Sequence, residues 1–232
     1  MRFLLSLQQD AKLFIYIHAL LMLFRCAFLV IYSGQLGNAG AEDVAEALWL
    51  GARISLKTTA FLVGFPFVFG TIPYALWKKW PAGGIRKILG SVAVGLMTLL
   101  FMVRIPYYEI FHQGFNIMLF NGMKDDRMAI WQTAVQQYQL WPRLFGALAL
   151  MAFFIWGLIK FLETPVYYPR HHVRILDMAA VVMVPVFAVF CRFGGAFHSD
   201  SGVPWESAAR THYTVLNEAV LDDGQAMYRA YH

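Results

Sequence analysis

Charged side chains are scarce in this chain. Asp, Glu, Lys and Arg make up 14% of its 232 residues, whereas an average soluble domain carries about 25%. Hydrophobic residues make up 59%, and the mean hydropathy is +0.53. The deficit of charge excludes an ordinary soluble protein. Repeated apolar runs of about twenty residues predict a polytopic membrane protein instead.

Cysteines and known catalytic motifs are also lacking. Cys26 and Cys191 are the only cysteines, and both lie in apolar stretches, which excludes a disulfide framework and a CxxC metal site. The HExxH, GxSxG, P-loop and GxGxxG patterns are absent. The segment from His198 to Ser201 groups a histidine, a carboxylate and hydroxyls, but the glycines around it favour a flexible loop over a hydrolase site. We expect no catalytic residue and no metal site in this chain.

The net charge of +5 does not indicate a nucleic-acid partner, because the basic residues lie at helix ends and in loops and do not form one polar face.

The length of the chain limits how many domains it can contain. Five helices of roughly 20 to 25 residues and their loops use the whole chain, which leaves no room for a soluble catalytic domain of about 100 residues.

Five apolar segments give the fold class, an all-α membrane protein with five transmembrane helices. We expect residues 1–203 to form the five-span domain and residues 204–232 a helical tail outside the membrane. Gly and Pro interrupt the second span, which neighbouring helices make tolerable. The predicted spans are Lys12–Ser33, Leu48–Trp77, Ile85–Tyr108, Trp141–Leu162 and Ile175–Phe193.

Basic residues in the loops predict the orientation, since cytoplasmic loops carry the excess of Lys and Arg. Nine of them fall on one side, and the first loop on the other side has none. The N-terminus is therefore predicted inside and the C-terminus outside. The nine are Arg2, Lys12, Lys78, Lys79, Arg86, Lys87, Lys160, Arg170 and Arg174.

Two amphipathic stretches lie outside the spans. Between spans three and four, helical spacing of apolar residues predicts a short helix on the outer membrane surface; a helix packed on a larger protein is the alternative. In the tail, a second stretch is expected to pack on a membrane surface or a following domain. The apolar residues are Met128, Trp131, Ala134, Val135 and Tyr138 in the first, and Val215, Leu216, Ala219, Val220 and Met227 in the second.

Basic residues within spans are functional candidates, because a charge in hydrocarbon costs a few kcal/mol. Span direction maps five of them to the outer leaflet: Arg25, Arg53, Lys57, Arg104 and Arg192. Guanidinium and ammonium groups at that depth suit an anionic lipid headgroup. Alternatively, each side chain snorkels separately or pairs within the bundle, for example Arg53 with Glu46. His18, on an apolar face of span one, is predicted to be a hydrogen-bonded core histidine.

Several short motifs resemble the N-terminal membrane domain of the lipoteichoic acid synthase and phosphoglycerol transferase family. The resemblance covers nearly the whole chain and includes five spans with the C-terminus outside. One departure concerns Ser55, where the family usually has an acidic residue, so an intramembrane ion pair with Arg53 is not expected. The motifs are Phe24 and Arg25 in span one, Gly51 to Leu56 opening span two, Tyr107 to Phe111 with Phe115 and Asn116 after span three, and Asn217 to Leu221 in the tail.

The resemblance implies a function for an intact protein in a bacterial cytoplasmic membrane. Such a protein transfers glycerol phosphate from phosphatidylglycerol, or hydrolyses a related ester, through a sulfatase-like domain outside the cell. That domain holds a nucleophilic threonine and a divalent metal, manganese by the resemblance, and no position of this chain receives them. The chain then resembles a fragment or a protein lacking that domain. Its own roles would be to anchor the domain and to hold the lipid headgroup.

Two other classes stay open. A small transporter is one, although the chain lacks inverted repeats and an evident acidic residue at the midplane of a broken helix. A non-enzymatic assembly subunit is the other, with the tail docking a separate soluble partner.

Overall fold

The computed structural model describes residues 2–117, 140–166, 174–204 and 211–231, and these are helical or irregular, with no strand among them. The helices are numbered in chain order. They are α1 (Arg2–Ile31), α2 (Ala41–Pro66), α3 (Ile72–Leu76), α4 (Ala82–Phe111), α5 (Leu140–Glu163), α6 (Arg174–Arg192), α7 (Thr214–Val220) and α8 (Asp223–Tyr231).

Within the described residues, five segments are long and apolar enough to cross a membrane, which confirms the predicted number of spans. They are Arg2–Ile31, Ala41–Leu76, Ala82–Phe111, Trp141–Glu163 and Ile175–Arg192. Three of the five begin close to the predicted residue. The first begins at Arg2 where Lys12 was predicted, and the second at Ala41 where Leu48 was predicted. The predicted surface helix between spans three and four lies outside the described residues.

The second span is interrupted, as its prolines and glycines indicate. Helix α2 ends at Pro66, and a π-helical turn, Phe67–Thr71, leads directly into α3. Proline has no amide proton, so the carbonyl four residues earlier loses its helical partner. Such a turn inside a long helix is frequent at functional sites.

Contacts at the two ends of the bundle define how the helices run. Lys87 of α4 pairs with Glu163 of α5 at 3.0 Å, while Arg143 of α5 lies 3.6 Å from Glu109 of α4. Helices α4 and α5 are therefore antiparallel. Helices α1 and α2 are antiparallel too, since Ser6 bonds Thr71 while Arg25 bonds Ser55. We call the end that receives α7 and α8 the tail end and the opposite one the Asp10 end.

The middle of the bundle is an aromatic core around α1, which contacts α2, α4, α5, α6 and α7. Phe24 of α1 stacks on Phe101 of α4 with ring centroids 4.4 Å apart, and it makes a T-shaped contact with Phe154 of α5 at a centroid distance of 5.5 Å. Aromatic pairs at these distances add to the burial of their area.

A buried polar cluster joins three segments at the Asp10 end. Arg86 donates from Nε to Asp10 Oδ1 at 2.6 Å and from Nη2 to Ser6 and Thr71. Thr71, in the π-helical turn, donates to the second oxygen of Asp10. Arg86 and Asp10 are 4% and 3% exposed. Arg86 therefore lies inside α4 and is paired, whereas the charge count assigned it to the loop before span three; α1 begins ten residues before the predicted Lys12.

We predict that Arg86→Ala destabilises the protein strongly, by about 3–5 kcal/mol, because it leaves the carboxylate of Asp10 buried without its cation. The matched control is Lys87→Ala on the same helix, whose pair with Glu163 is about half exposed and contributes little. The measurement is the free energy of unfolding in mixed micelles titrated with SDS. Equal effects of the two substitutions would show that the Asp10 cluster does not hold the bundle.

Candidate functional site

The C-terminal helices pack against the spanning helices at the tail end. Val215, Leu216, Ala219 and Val220 of α7 are at most 3% exposed. They contact α1 and α2, while α8 contacts α4 and α2. The amphipathic face predicted in the tail therefore packs on the chain's own helices, and the part of the tail that the structure describes is a component of the bundle.

Arg25 binds the end of α7 from the side of α1. Its Nε donates to the carbonyl of Ala219 at 2.8 Å, and its Nη2 donates to the carbonyl of Val220 at 3.1 Å. Nη2 also donates to Ser55 Oγ of α2 at 2.8 Å. The last carbonyls of a helix have no partner within it, and a cation near them is favourable. Arg25 thus caps the C-terminus of α7.

Arg104 caps the same helix end from the side of α4. Its Nη2 donates to the carbonyl of Glu218 at 2.6 Å, and its Nη1 donates to the carbonyl of Leu221 at 3.3 Å and to Asp223 Oδ1 at 2.9 Å. The guanidinium also lies 4.1 Å from the ring centroid of Phe28, a cation–π distance. Together the two arginines bind four consecutive carbonyls, from residue 218 to residue 221.

Two aspartates balance the charge of the two arginines. Asp222 is the N-cap of α8, because its Oδ1 accepts from the amide of Gln225 at 2.9 Å. It also accepts from the hydroxyls of Ser55 and Thr58 at about 3 Å. Burial raises the pKa of the Asp223 carboxyl above its ordinary value, and Arg104 opposes this. We call Arg25, Arg104, Asp222 and Asp223 the buried quartet.

Ser55 of α2 connects a basic and an acidic member of the buried quartet. Ser55 Oγ accepts from Arg25 and donates to Asp222 Oδ2 at 3.0 Å. The carboxylate beside this part of α2 is therefore that of Asp222, which belongs to the C-terminal segment. Gly51, one turn earlier, leaves room for the guanidinium, since a Cβ there would lie 2.5 Å from Arg25 Cζ.

Arg53 and Lys57 hold a different segment, the loop after α6. Arg53 donates to the carbonyls of Gly194 at 2.7 Å and Ser201 at 3.0 Å. Lys57 donates to the carbonyl of Val203 at 2.6 Å. The loop reverses at Gly194, whose φ of +64° suits glycine.

The structure therefore divides the five predicted headgroup residues into three environments. Arg25 and Arg104 are buried, whereas Arg53 and Lys57 are partly exposed and contact the loop after α6. Arg192 is exposed, with its guanidinium 6.0 Å from the ring of Phe193. All five lie toward the tail end, but they do not form one shared site.

The other candidates have simple environments. His18 Nδ1 lies 3.4 Å from Thr59 Oγ1, as expected for a hydrogen-bonded core histidine. Ser201 Oγ donates to the main-chain carbonyl of His198, and its contact is not with the ring. Within the described ranges, no group of three or more His, Cys, Asp or Glu residues could hold a metal ion.

Sequence reasoning missed the acids of both polar clusters. Asp10 continues the buried face of α1 at helical spacing with Ser6, Leu13 and Ile17, which is a usable signal. Asp222 and Asp223 follow a short apolar run, at a site where two intramembrane arginines need counter-charges. Asp10 contacts the interrupted second span at Thr71, but it lies near one end of the bundle and not at its midplane.

The fold and the site define a five-span helical membrane protein whose C-terminal helices are bound by buried arginines. Comparison with protein-family models, with curated proteins and with solved structures finds no match to this chain.

We predict that Gly51→Ala loosens the C-terminal helices, because the added Cβ would overlap the guanidinium of Arg25. Amide hydrogen exchange in residues 214–231 should accelerate at least tenfold. The matched control is Gly64→Ala in the same helix, where a Cβ meets nothing within 4 Å; both changes improve helix propensity alike. If Gly51→Ala leaves exchange as slow as Gly64→Ala does, Arg25 is not what holds the segment.

Proposed function

We propose that this chain is a membrane anchor that holds its C-terminal segment in a fixed position at one membrane face. The observation that carries the proposal is the capping of α7 by two arginines from α1 and α4. A segment attached by main-chain contacts to two spanning helices cannot rotate freely relative to the membrane. Whatever the segment leads to or contacts is then held at a defined height and orientation, which favours reaction with a membrane-bound substrate.

The more specific form of the proposal follows the family resemblance. The chain is then the membrane domain of a phosphoglycerol transferase-like protein of the bacterial cytoplasmic membrane, with its N-terminus inside and its tail outside. The catalytic, sulfatase-like domain with its threonine and its manganese ion would belong to the part that the tail positions. What supports this form is the number of spans and the location of the tail at the same end as the predicted outer basic residues.

Phosphatidylglycerol is the lipid that we propose for this face. Arg53 and Lys57 are partly exposed cations of the tail end, and Arg192 is an exposed one. Arginine presents a planar fork of donors that matches a phosphate. Arg25 and Arg104 have the separate role of binding the tail, so substitutions of the two sets should have different effects.

An assembly subunit is the alternative that uses the same observation, since a fixed tail also suits docking of a separate soluble partner. A small transporter is a further alternative. One contact bears on it, that of Asp10 with Thr71 in the interrupted second span, because ionisable residues within membrane segments are candidates for ion pathways. Substrate flux into proteoliposomes that disappears in Asp10→Asn would support the transporter.

We predict that Arg53→Gln combined with Lys57→Gln lowers the retention of phosphatidylglycerol, relative to phosphatidylcholine, several-fold in the purified protein. Arg192→Gln alone should lower this retention partly. In the described part of the chain, this substitution removes no hydrogen bond to the main chain. Native mass spectrometry of protein released from nanodiscs measures the retained lipid.

The matched control is Lys78→Gln combined with Lys79→Gln. It removes the same charge from exposed residues at the Asp10 end. Loss of retention in both double variants indicates a general charge effect, and unchanged retention in the Arg53 and Lys57 variant contradicts the headgroup proposal. Neither result bears on the anchor proposal, which is tested by hydrogen exchange in the C-terminal helices.

A further inference from the structure

An apolar groove lies between α1, α2 and α6. Its volume is about 400 Å³, and four residues from each of three segments line it: α1 between Leu7 and Phe14, α2 and its π-helical turn between Ala60 and Phe67, and α6 between Met183 and Ala188. Eleven of the twelve lining residues are uncharged and apolar, and Asp10 is the exception. The carboxylate of Asp10 is already bound by Arg86 and Thr71, so the groove presents hydrocarbon to an occupant.

All three walls belong to segments that are apolar enough to span a membrane, so the phase around the groove is lipid hydrocarbon. An unfilled volume of this size would leave its lining without van der Waals partners, and packing is what holds helices and lipids together inside a bilayer. We propose that the groove is a binding site for an acyl chain of a membrane lipid.

The dimensions favour a single chain over a protein segment. Eight residues of helix span about 10 Å, and a helix is about 10 Å wide with its side chains. A volume of 400 Å³ holds only about one turn of such a helix. An acyl chain is narrower, since its carbons need about 4 Å of separation from their neighbours, and cavities of this size between helices are typical small-molecule sites.

The residues at the groove define where an occupant lies. Gly64 is in the wall formed by α2, and a Cβ at this glycine would meet nothing within 4 Å. A larger side chain at position 64 therefore has room to enter the groove. Phe14 and Phe187 meet edge to face, with ring centroids 5.1 Å apart, and connect α1 to α6 along the groove. Only 11% of the apolar stretch of α6 is buried within the bundle, so an acyl chain in the groove would add to the packing of this helix.

The test uses photolabelling by phosphatidylcholine that carries a diazirine on one acyl chain, with the full chain reconstituted into phosphatidylcholine vesicles. Peptide mass spectrometry locates the labelled residues. We expect labelling of Ala11, Ala60 and Val184 to exceed that of the lipid-exposed Leu148 and Phe153 of α5 several-fold, and the excess to persist after brief exchange into detergent. This comparison within one molecule needs no variant.

Gly64→Phe should reduce groove labelling several-fold by filling the space. Gly146→Phe on α5 is the matched control, because a Cβ there also meets nothing within 4 Å, and it should leave groove labelling unchanged. The proposal is overturned if groove residues are labelled no more than α5, if Gly64→Phe leaves their labelling unchanged, or if crosslinking places a second copy of the chain in the groove.

Discussion

The capping of main-chain carbonyls by basic side chains from other helices is the interaction on which this structure depends. Arg25 and Arg104 bind the carbonyls at the end of α7, Arg53 and Lys57 bind those of the loop after α6, and Lys12 binds those of Thr164 and Pro165 after α5. The carbonyls that end a helix cannot pair within it, and a cation near them is favourable. Cations on the spanning helices meet this need and attach the segments that follow.

The charges are tolerable because each buried one has a partner and because they lie near the two ends of the bundle. Asp10 and Arg25 are separated by about 22 Å along α1, and Arg86 and Arg104 by about 27 Å along α4, at 1.5 Å per residue. These spans are slightly shorter than a hydrocarbon core of about 30 Å. The two polar clusters therefore lie near opposite ends of the spanning helices, with the aromatic contacts of Phe24 between them. Removing one partner of a buried pair is costly, so the spanning helices and the tail are energetically coupled.

Periodicity and hydropathy predicted the five spans, their order and the interruption of the second, because these depend on local composition. The same reasoning found Arg25 and Arg104 as intramembrane charges. It could not assign their partners, since main-chain carbonyls carry no sequence signature and Asp222 and Asp223 lie more than a hundred residues away. Hydropathy left Asp10 outside the first span, and the charge count assigned Arg86 to the loop before the third, because neither recognises two opposite charges that pair across helices. The pairing of polar groups that are distant in the sequence is therefore visible only in the structure.

The central claim is that Arg25 and Arg104 hold the C-terminal helices in one position, and a distance measurement tests it most directly. Spin labels at the exposed residues Gln35 and Tyr228, in a background of Cys26→Ser and Cys191→Ala, report the separation of the tail from α1 by pulsed electron resonance in nanodiscs. We expect one narrow distance distribution, which becomes broad in the Arg25→Gln, Arg104→Gln variant. A broad distribution with both arginines present, or an equally narrow one without them, would contradict it.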